Sequence, residues 1–170
     1  MPDPSHAGAV FLAEARRQLD GCLDKIHHCA DQLDESQLWW RLDEGRNSVG
    51  NLLLHLAGNI GQRFGSTIGG DPDRRDRAAE FAERGPIAKE DVMRRLDASF
   101  VRARAALDGF DPDRVADSRT YPTGHGPVDA TVLAVALRSL LHLAGHTQEI
   151  IAMTKNQLGE AYRPFGRGDW

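Results

Sequence analysis

Two histidines, His142 and His146, lie four residues apart in the last long apolar stretch of the chain. On an α-helix, residues at this spacing lie on one face, about 40° apart. Most positions around them are apolar, and a histidine is costly to bury unless its ring nitrogens find partners. Two such imidazoles can converge on a metal ion, whereas the alternative is a pair of core histidines satisfied by hydroxyl or backbone groups.

A third ligand would have to come from another helix, because one helix face cannot surround an ion. His55 is the candidate, since apolar residues cover one side of the predicted helix 49–66 and His55 lies on the adjoining edge. It shares that edge with Asn51, Asn59 and Gln62, all within about 80° on a helical wheel. The alternative is an ordinary solvent face. Uncharged amides beside an apolar face, however, fit the wall of a partly buried pocket better.

The elements that would position these residues are four long helices. Apolar spacing predicts a first helix of about 25 residues on a seven-residue repeat. The others are predicted at 49–66 with Ser48 as N-cap, at 89–107, and at 128–158. The segments 69–86 and 121–127 are predicted as loops, and no strand is expected. The fold class is therefore all-α, a four-helix bundle in one domain spanning residues 1–170.

Composition excludes several classes of function. The chain has 170 residues, a net charge of −4 and no Lys/Arg-rich run, so no nucleic-acid partner is expected. No stretch approaches 18 consecutive apolar residues, which predicts no membrane span, and residues 1–6 do not resemble a signal peptide. Cys22 and Cys29 would lie roughly 10 Å apart on one helix, too far for a disulfide. We expect a reduced, cytoplasmic protein.

Two segments, 48–57 (SVGNLLLHLA) and 142–147 (HLAGHT), resemble the DinB-like (YfiT-like) superfamily of metal-dependent bundle enzymes. The charged segment 73–77 before Glu80 is similar to one branch of it. The resemblance implies an up-down-down-up four-helix bundle that holds a divalent metal, most often zinc or nickel. Matched by position, the implied ligands are His55, His142 and His146.

The resemblance also implies a chemistry, because characterised members of the superfamily include enzymes that transfer or isomerise small molecules with a low-molecular-weight thiol. Three neutral imidazoles leave a metal an open position that can bind a thiol, a water or a carbonyl. A thiol-dependent transferase or isomerase acting on a small-molecule substrate is therefore the leading interpretation. The alternatives are a metal-dependent hydrolase and a non-catalytic, metal-stabilised bundle. No general base is evident, and Glu149 is expected to orient a ligand imidazole or lie at the surface.

The last predicted helix is apolar nearly all round, since Arg138 is the only formal charge between Asp129 and Glu149. Such a helix should be buried on more than one side. The arc opposite the histidines, which includes Leu137, predicts a homodimer across a two-fold axis. The alternative cover for this arc is the loops or the tail 160–170.

Other chemically notable residues have simpler interpretations. His27 and His28 are expected on a solvated helix face. The charged segment 74–77 is expected in a solvated loop that could meet an anionic thiol cofactor. Trp39 and Trp40 are expected to seal one end of the bundle. His125, between two glycines, is either an ordinary loop residue or a mobile pocket residue.

Overall fold

The computed structural model describes residues 4–85 and 87–166, and of residues 4–6 only the backbone. The predicted features at 1–3, 86 and 167–170 lie outside this part. The described chain is mostly helical. Its helices are α1 (Pro4–Ala30), α2 (Glu35–Trp39), α3 (Val49–Ile60), α4 (Arg77–Ala82), α5 (Lys89–Asp108) and α6 (Val132–Leu158). A π-helix (Gly61–Ile68) continues α3, two 3₁₀ turns lie at Pro112–Arg114 and Gly159–Ala161, and two strands are β1 (Ser118–Thr123) and β2 (Gly126–Thr131).

Four long helical segments enclose the core. Helix α1 packs along α6 and α3 packs along α5, while α3 also contacts α6 and α1 also contacts α5. The seven-residue repeat predicted for the first helix is buried, at Leu12, Leu19 and Ile26 on α1 and at Leu33, three residues past the end of α1. Helix α5 begins at the predicted residue, and α6 ends at the predicted residue. Apolar periodicity therefore located the long helices well.

Helix α3 begins with a reciprocal cap. Ser48 Oγ accepts a hydrogen bond from the backbone N–H of Asn51, and Asn51 Oδ1 accepts one from the backbone N–H of Ser48. The predicted N-cap is thus confirmed. The Asn51 amide was expected in a pocket wall, and this is wrong: it donates to the carbonyl oxygens of Glu80 and Glu83. Asn51 is a buried link between α3 and the segment around α4.

The predicted helix 49–66 changes character at Gly61, where the α-helix becomes a π-helix that runs to Ile68. Its wider turn is seen where the Gly69 N–H bonds to Phe64 O, five residues back, at 2.8 Å. Apolar spacing locates the buried face but does not distinguish the two helix types. The π-helix carries Gln62 and Arg63, which both line the cleft described below.

The expectation of no strands is wrong at the segment before α6. The segment 121–127, predicted as loop, and residues 128–131, predicted as helix, belong to an antiparallel hairpin in which Tyr121 pairs with Val128. Helix α6 therefore begins at Val132 rather than 128. The signal was weak because Pro122 and Pro127 lie opposite each other and neither can donate a ladder hydrogen bond. Gly126, at φ +107, supplies the backbone conformation that the tight connection requires.

The segment 69–86 was predicted to be a charged loop throughout, which is also wrong. It contains α4, whose N-cap Asp76 accepts a hydrogen bond from the backbone N–H of Ala79. A helix of six residues has too few turns to show a periodic pattern and depends on tertiary contacts for stability. One of those contacts is Glu80, which is buried.

The outward face of α6 is apolar and exposed. Leu133, Leu137 and Leu141 are 39 to 66 % exposed, whereas Leu140 and Ile151 pack partly against the core. Within residues 4–85 and 87–166, neither the loops nor the tail covers the three exposed leucines. Among the described residues, no helix is both long and apolar enough to cross a membrane.

Candidate metal centre

The structure brings together the three histidines singled out from the sequence. His55 lies on α3, and His142 and His146 lie one turn apart on α6, which packs against it. One ring nitrogen from each lies within 4.8 Å of the others. The closest approach is 2.8 Å, between His55 Nε2 and His142 Nε2. Three imidazoles from two helices therefore converge on one point.

His55 is held from behind by a buried carboxylate. Its Nδ1 lies 2.9 Å from Glu80 Oε2, and the two side chains are only 5 % and 8 % exposed. The Phe81 ring lies against the imidazole, with centroids 4.8 Å apart. A proton on Nδ1 facing the carboxylate leaves the Nε2 lone pair directed at the other two histidines.

Glu80 is in turn clamped by Arg75. The guanidinium Nε donates to Oε1 at 2.7 Å and Nη2 donates to Oε2 at 2.9 Å, a two-bond geometry that fixes the carboxylate. Burial by itself raises the pKa of Glu80, but hydrogen bonds from Arg75 and His55 outweigh it and hold the pKa below its usual value. The carboxylate is therefore ionised at neutral pH.

Glu80 and Arg75 are residues of the candidate site that the sequence patterns did not indicate. Arg75 was expected in a solvated loop, yet its side chain is only 6 % exposed. The available signal was Asp76, a helix-capping residue type four positions before Glu80, which could have placed a short helix there. Nothing in the spacing of a six-residue helix could have indicated that this helix faces His55.

His146 has a carboxylate partner of a different kind. Its Nδ1 lies 2.8 Å from Glu149 Oε2, three residues along the same helix. The side chains are 24 % and 49 % exposed. Of the two expected places for Glu149, beside a ligand imidazole or at the surface, the side chain occupies both. An orienting role for Glu149 is thus geometrically available, at the surface of the site.

His142 has no carboxylate partner within the described part of the chain. Burial lowers its pKa from 6.5 to about 4, and neighbouring positive or protonatable groups act in the same direction. These groups are His146, His55, Arg75 and Arg63. His142 is therefore a neutral imidazole at physiological pH, the form that binds metals.

A cleft of about 540 Å³ opens beside His55 and His142. Asn59 and Ser139 form a polar wall, with Ser139 Oγ donating to Asn59 Oδ1 at 3.1 Å. Tyr121 reaches the cleft from the hairpin. This volume is typical of a small-molecule site. The predicted pocket role of the amide edge therefore holds for Asn59 and Gln62.

The remaining notable residues are not among those that line the cleft. His27 bonds Asp97, His28 contacts Arg163 O, and His125 is exposed in the hairpin turn. Trp39 packs on the core and donates to Ile87 O, whereas Trp40 is half exposed rather than sealing an end. Both cysteines are unpaired, and burial raises the pKa of each thiol.

The donor set fits a divalent metal. Imidazole nitrogens are ligands for zinc, nickel, copper and iron. Two of the three rings, His55 and His146, have their other nitrogen on a carboxylate, which is the usual arrangement around metal-bound histidines. Glu80 and Glu149 would thus support the ligands without binding the ion themselves.

The fold and the site together define a mostly helical protein that gathers three histidines beside an open cleft. The chain matches the family DUF1572, described as protein of unknown function, over residues 6–166, and it belongs to that family. Among curated proteins, no match to the chain was found.

Proposed function

We propose that this protein is a DinB/YfiT-like four-helix-bundle metalloenzyme whose divalent metal, zinc or nickel, is bound by His55, His142 and His146. The observation that carries the proposal is the convergence of three ring nitrogens, within 4.8 Å of one another, at the head of a cleft. The packing of four long helical segments supports the bundle assignment. Three histidines with an open side are typical of a catalytic rather than a closed structural metal site.

The reaction we favour is transfer or isomerisation that uses a low-molecular-weight thiol. A metal on three neutral imidazoles would supply a thiolate nucleophile, because a coordinating thiol loses its proton outright. This chemistry requires no separate general base. The described residues that line the cleft include no carboxylate. Glu80, the carboxylate nearest to His55, contacts its Nδ1 and does not line the cleft. Metal-dependent hydrolysis remains the alternative.

The chain's own residues have separate tasks in this scheme. Glu80 orients His55, and Arg75 keeps Glu80 ionised and fixed. Glu149 orients His146. The cleft beside His55 and His142 admits a small-molecule substrate. A non-catalytic, metal-stabilised bundle would need no such opening, which favours the enzyme.

Metal analysis of the purified protein tests the site. We expect one zinc or nickel per chain in the wild type, and loss of that metal in His146→Ala. His125→Ala is the matched control, because it removes an exposed histidine that is not one of the three in the cluster and should retain the metal. A wild-type protein that is isolated without metal and takes up neither zinc nor nickel would overturn the proposal.

Thiol chemistry is tested by following thioether formation between glutathione or cysteine and an alkylating electrophile. We expect a rate that requires both the metal and His146, with His125→Ala unchanged. A metal-loaded protein that is inactive with thiols but hydrolyses ester or amide substrates would favour the hydrolase instead.

We also propose that the protein is a homodimer with α6 at its interface. We further propose that it is located in the cytoplasm. The exposed face of Leu133, Leu137 and Leu141 supports a second copy as its cover. The two unpaired cysteines support a reducing compartment. Light scattering at micromolar concentration should give twice the chain mass, and Leu137→Glu should halve it. A wild-type monomer would contradict the dimer.

A further inference from the structure

The cleft beside the three histidines is strongly cationic although the protein is acidic overall. Four arginines line it, and none of the described residues that line it is acidic. The chain as a whole carries a net charge of −4. Arg75 is neutralised by Glu80, so the unbalanced positive charge comes from the other three: Arg63, Arg77 and Arg138.

Two of these arginines are placed by a shared neighbour. The Arg63 guanidinium lies over the Tyr121 ring, 4.2 Å from its centroid, and donates to Pro122 O at 2.8 Å. Arg138 Nη1 donates to the Tyr121 hydroxyl at 3.0 Å. Tyr121 is 6 % exposed, so its buried side chain holds both guanidinium groups in place. Neither arginine forms an ion pair with any described residue.

The position of Arg63 is unfavourable for its charged form. Burial lowers its pKa from the usual value, and the charge of Arg75 adds to this. Tyr121 and, to a smaller extent, Asp73 act on this pKa in the opposite direction. The Asp73 carboxylate accepts hydrogen bonds from Gln62 Nε2 and from the Arg75 backbone N–H. Guanidinium groups with free donors on the wall of a cleft bind carboxylate or phosphate well.

We propose that this cleft binds a small molecule with a carboxylate or phosphate group, held by Arg63 and Arg138, while the rest of the molecule extends to the three histidines. The inference deepens the proposed function and rests on it in one respect, that the cleft is the substrate site. It assigns substrate recognition to the π-helix, the hairpin and α6. Arg77 adds charge at the rim of the cleft, where its guanidinium lies over Phe81.

The test is anion binding to the metal-free, chelator-treated protein, measured by calorimetry at constant ionic strength. The probes are inorganic phosphate, succinate and the neutral analogue succinamide. We expect saturable binding of phosphate or succinate and none of succinamide. Arg63→Gln and Arg138→Gln should each weaken binding about tenfold or more, since each removes a charge-assisted hydrogen-bond donor. The better-bound anion distinguishes a phosphate-bearing from a carboxylate-bearing ligand.

Arg17→Gln is the matched control, because Arg17 is an exposed arginine on α1 paired with Glu14, and its binding should equal wild type. Should Arg63→Gln fail to fold, Arg138→Gln decides alone, since Arg138 is exposed on α6. Failure of both anions to bind below about 10 mM, a weak-affinity limit, overturns the inference. Wild-type affinity in a folded arginine variant overturns it equally.

This outcome is separable from the fate of the metal proposal. Anion binding that depends on both arginines, in a protein that takes up no metal, sustains the inference and removes the proposed function. If the protein binds the metal but its metal-free form binds neither anion, the metal proposal stands and the inference about the cleft is overturned.

Discussion

Two carboxylate–imidazole pairs flank the histidine cluster at nearly the same distance, 2.9 Å for Glu80–His55 and 2.8 Å for Glu149–His146. Their surroundings differ completely. The first joins α4 to α3 and is almost fully buried, with a clamp from Arg75. The second lies within one turn of α6, and its carboxylate is 49 % exposed.

This difference in burial shows that distance alone does not set the strength of a carboxylate–imidazole contact. An exposed pair three residues apart competes with water and contributes little to stability. In a buried pair, removal of one partner leaves the other charged or polar group without water, which is strongly destabilising. We infer that the α3 side of the cluster is rigid and that His146 on α6 is the adjustable member.

Breaking each pair in turn should give the largest contrast. In metal-free protein, Glu80→Gln should lower the free energy of unfolding by about 3 kcal/mol, because Arg75 loses its buried partner. Glu149→Gln should change it by less than about 0.5 kcal/mol. If the metal binds as proposed, Glu80→Gln should also weaken its affinity about 10- to 100-fold. Urea denaturation and metal titration measure both effects, and equal losses in the two variants would refute the comparison.

A smaller effect is expected from the helix surface against which Glu80 packs. A Cβ on Gly58 would lie 1.9 Å from Glu80 Oε1, so Gly58→Ala must displace a carboxylate already held by Arg75. We expect a loss of about 1–3 kcal/mol from this overpacking. Gly21→Ala on α1 meets no atom within 4 Å and should instead stabilise by about 0.5–1 kcal/mol. Thermal unfolding of both variants is the measurement, and a Gly58→Ala protein as stable as Gly21→Ala would contradict this account.

The third imidazole, His142, has no carboxylate partner among the described residues, and it should give the smallest effect, a dependence of stability on pH. Its pKa in the folded protein is about 4, below the usual 6.5, so the unfolded chain binds a proton that the folded chain refuses. Stability of the metal-free protein should therefore fall as pH drops from 6.5 toward 4. In His142→Gln the free energy of unfolding should fall less steeply between pH 6.5 and about 5. Chemical denaturation at each pH measures this free energy. An unchanged slope would show that other groups carry the dependence.

Much of this arrangement could be predicted from periodicity. The spacing of His142 and His146, and the place of His55 on the edge of an apolar face, made these residues candidates for one site, and the family resemblance implied the same three. Long helices repeat their pattern over many turns, so a face can be assigned even when an end is off by a few residues. The metal itself stays a prediction.

The missed parts share a physical reason. Glu80 lies on a six-residue helix, and Arg75 precedes it in a segment without regular structure, so neither belongs to a repeating pattern. The hairpin alternates weakly and has prolines facing each other. The π-helix differs from an α-helix only in its hydrogen-bond spacing. Each depends on contacts between residues that are distant in sequence, which local patterns do not contain.

The side chain of Asn51 has a consequence for the order in which the protein folds. It completes the cap of α3 and also binds the carbonyl oxygens of Glu80 and Glu83. Six residues are too few for α4 to persist as an isolated helix, so it must wait for α3 to present this amide. The carboxylate behind His55 would then arrive only after the helix that carries His55 has formed. We therefore expect the site to be completed late in folding, after α3 has formed.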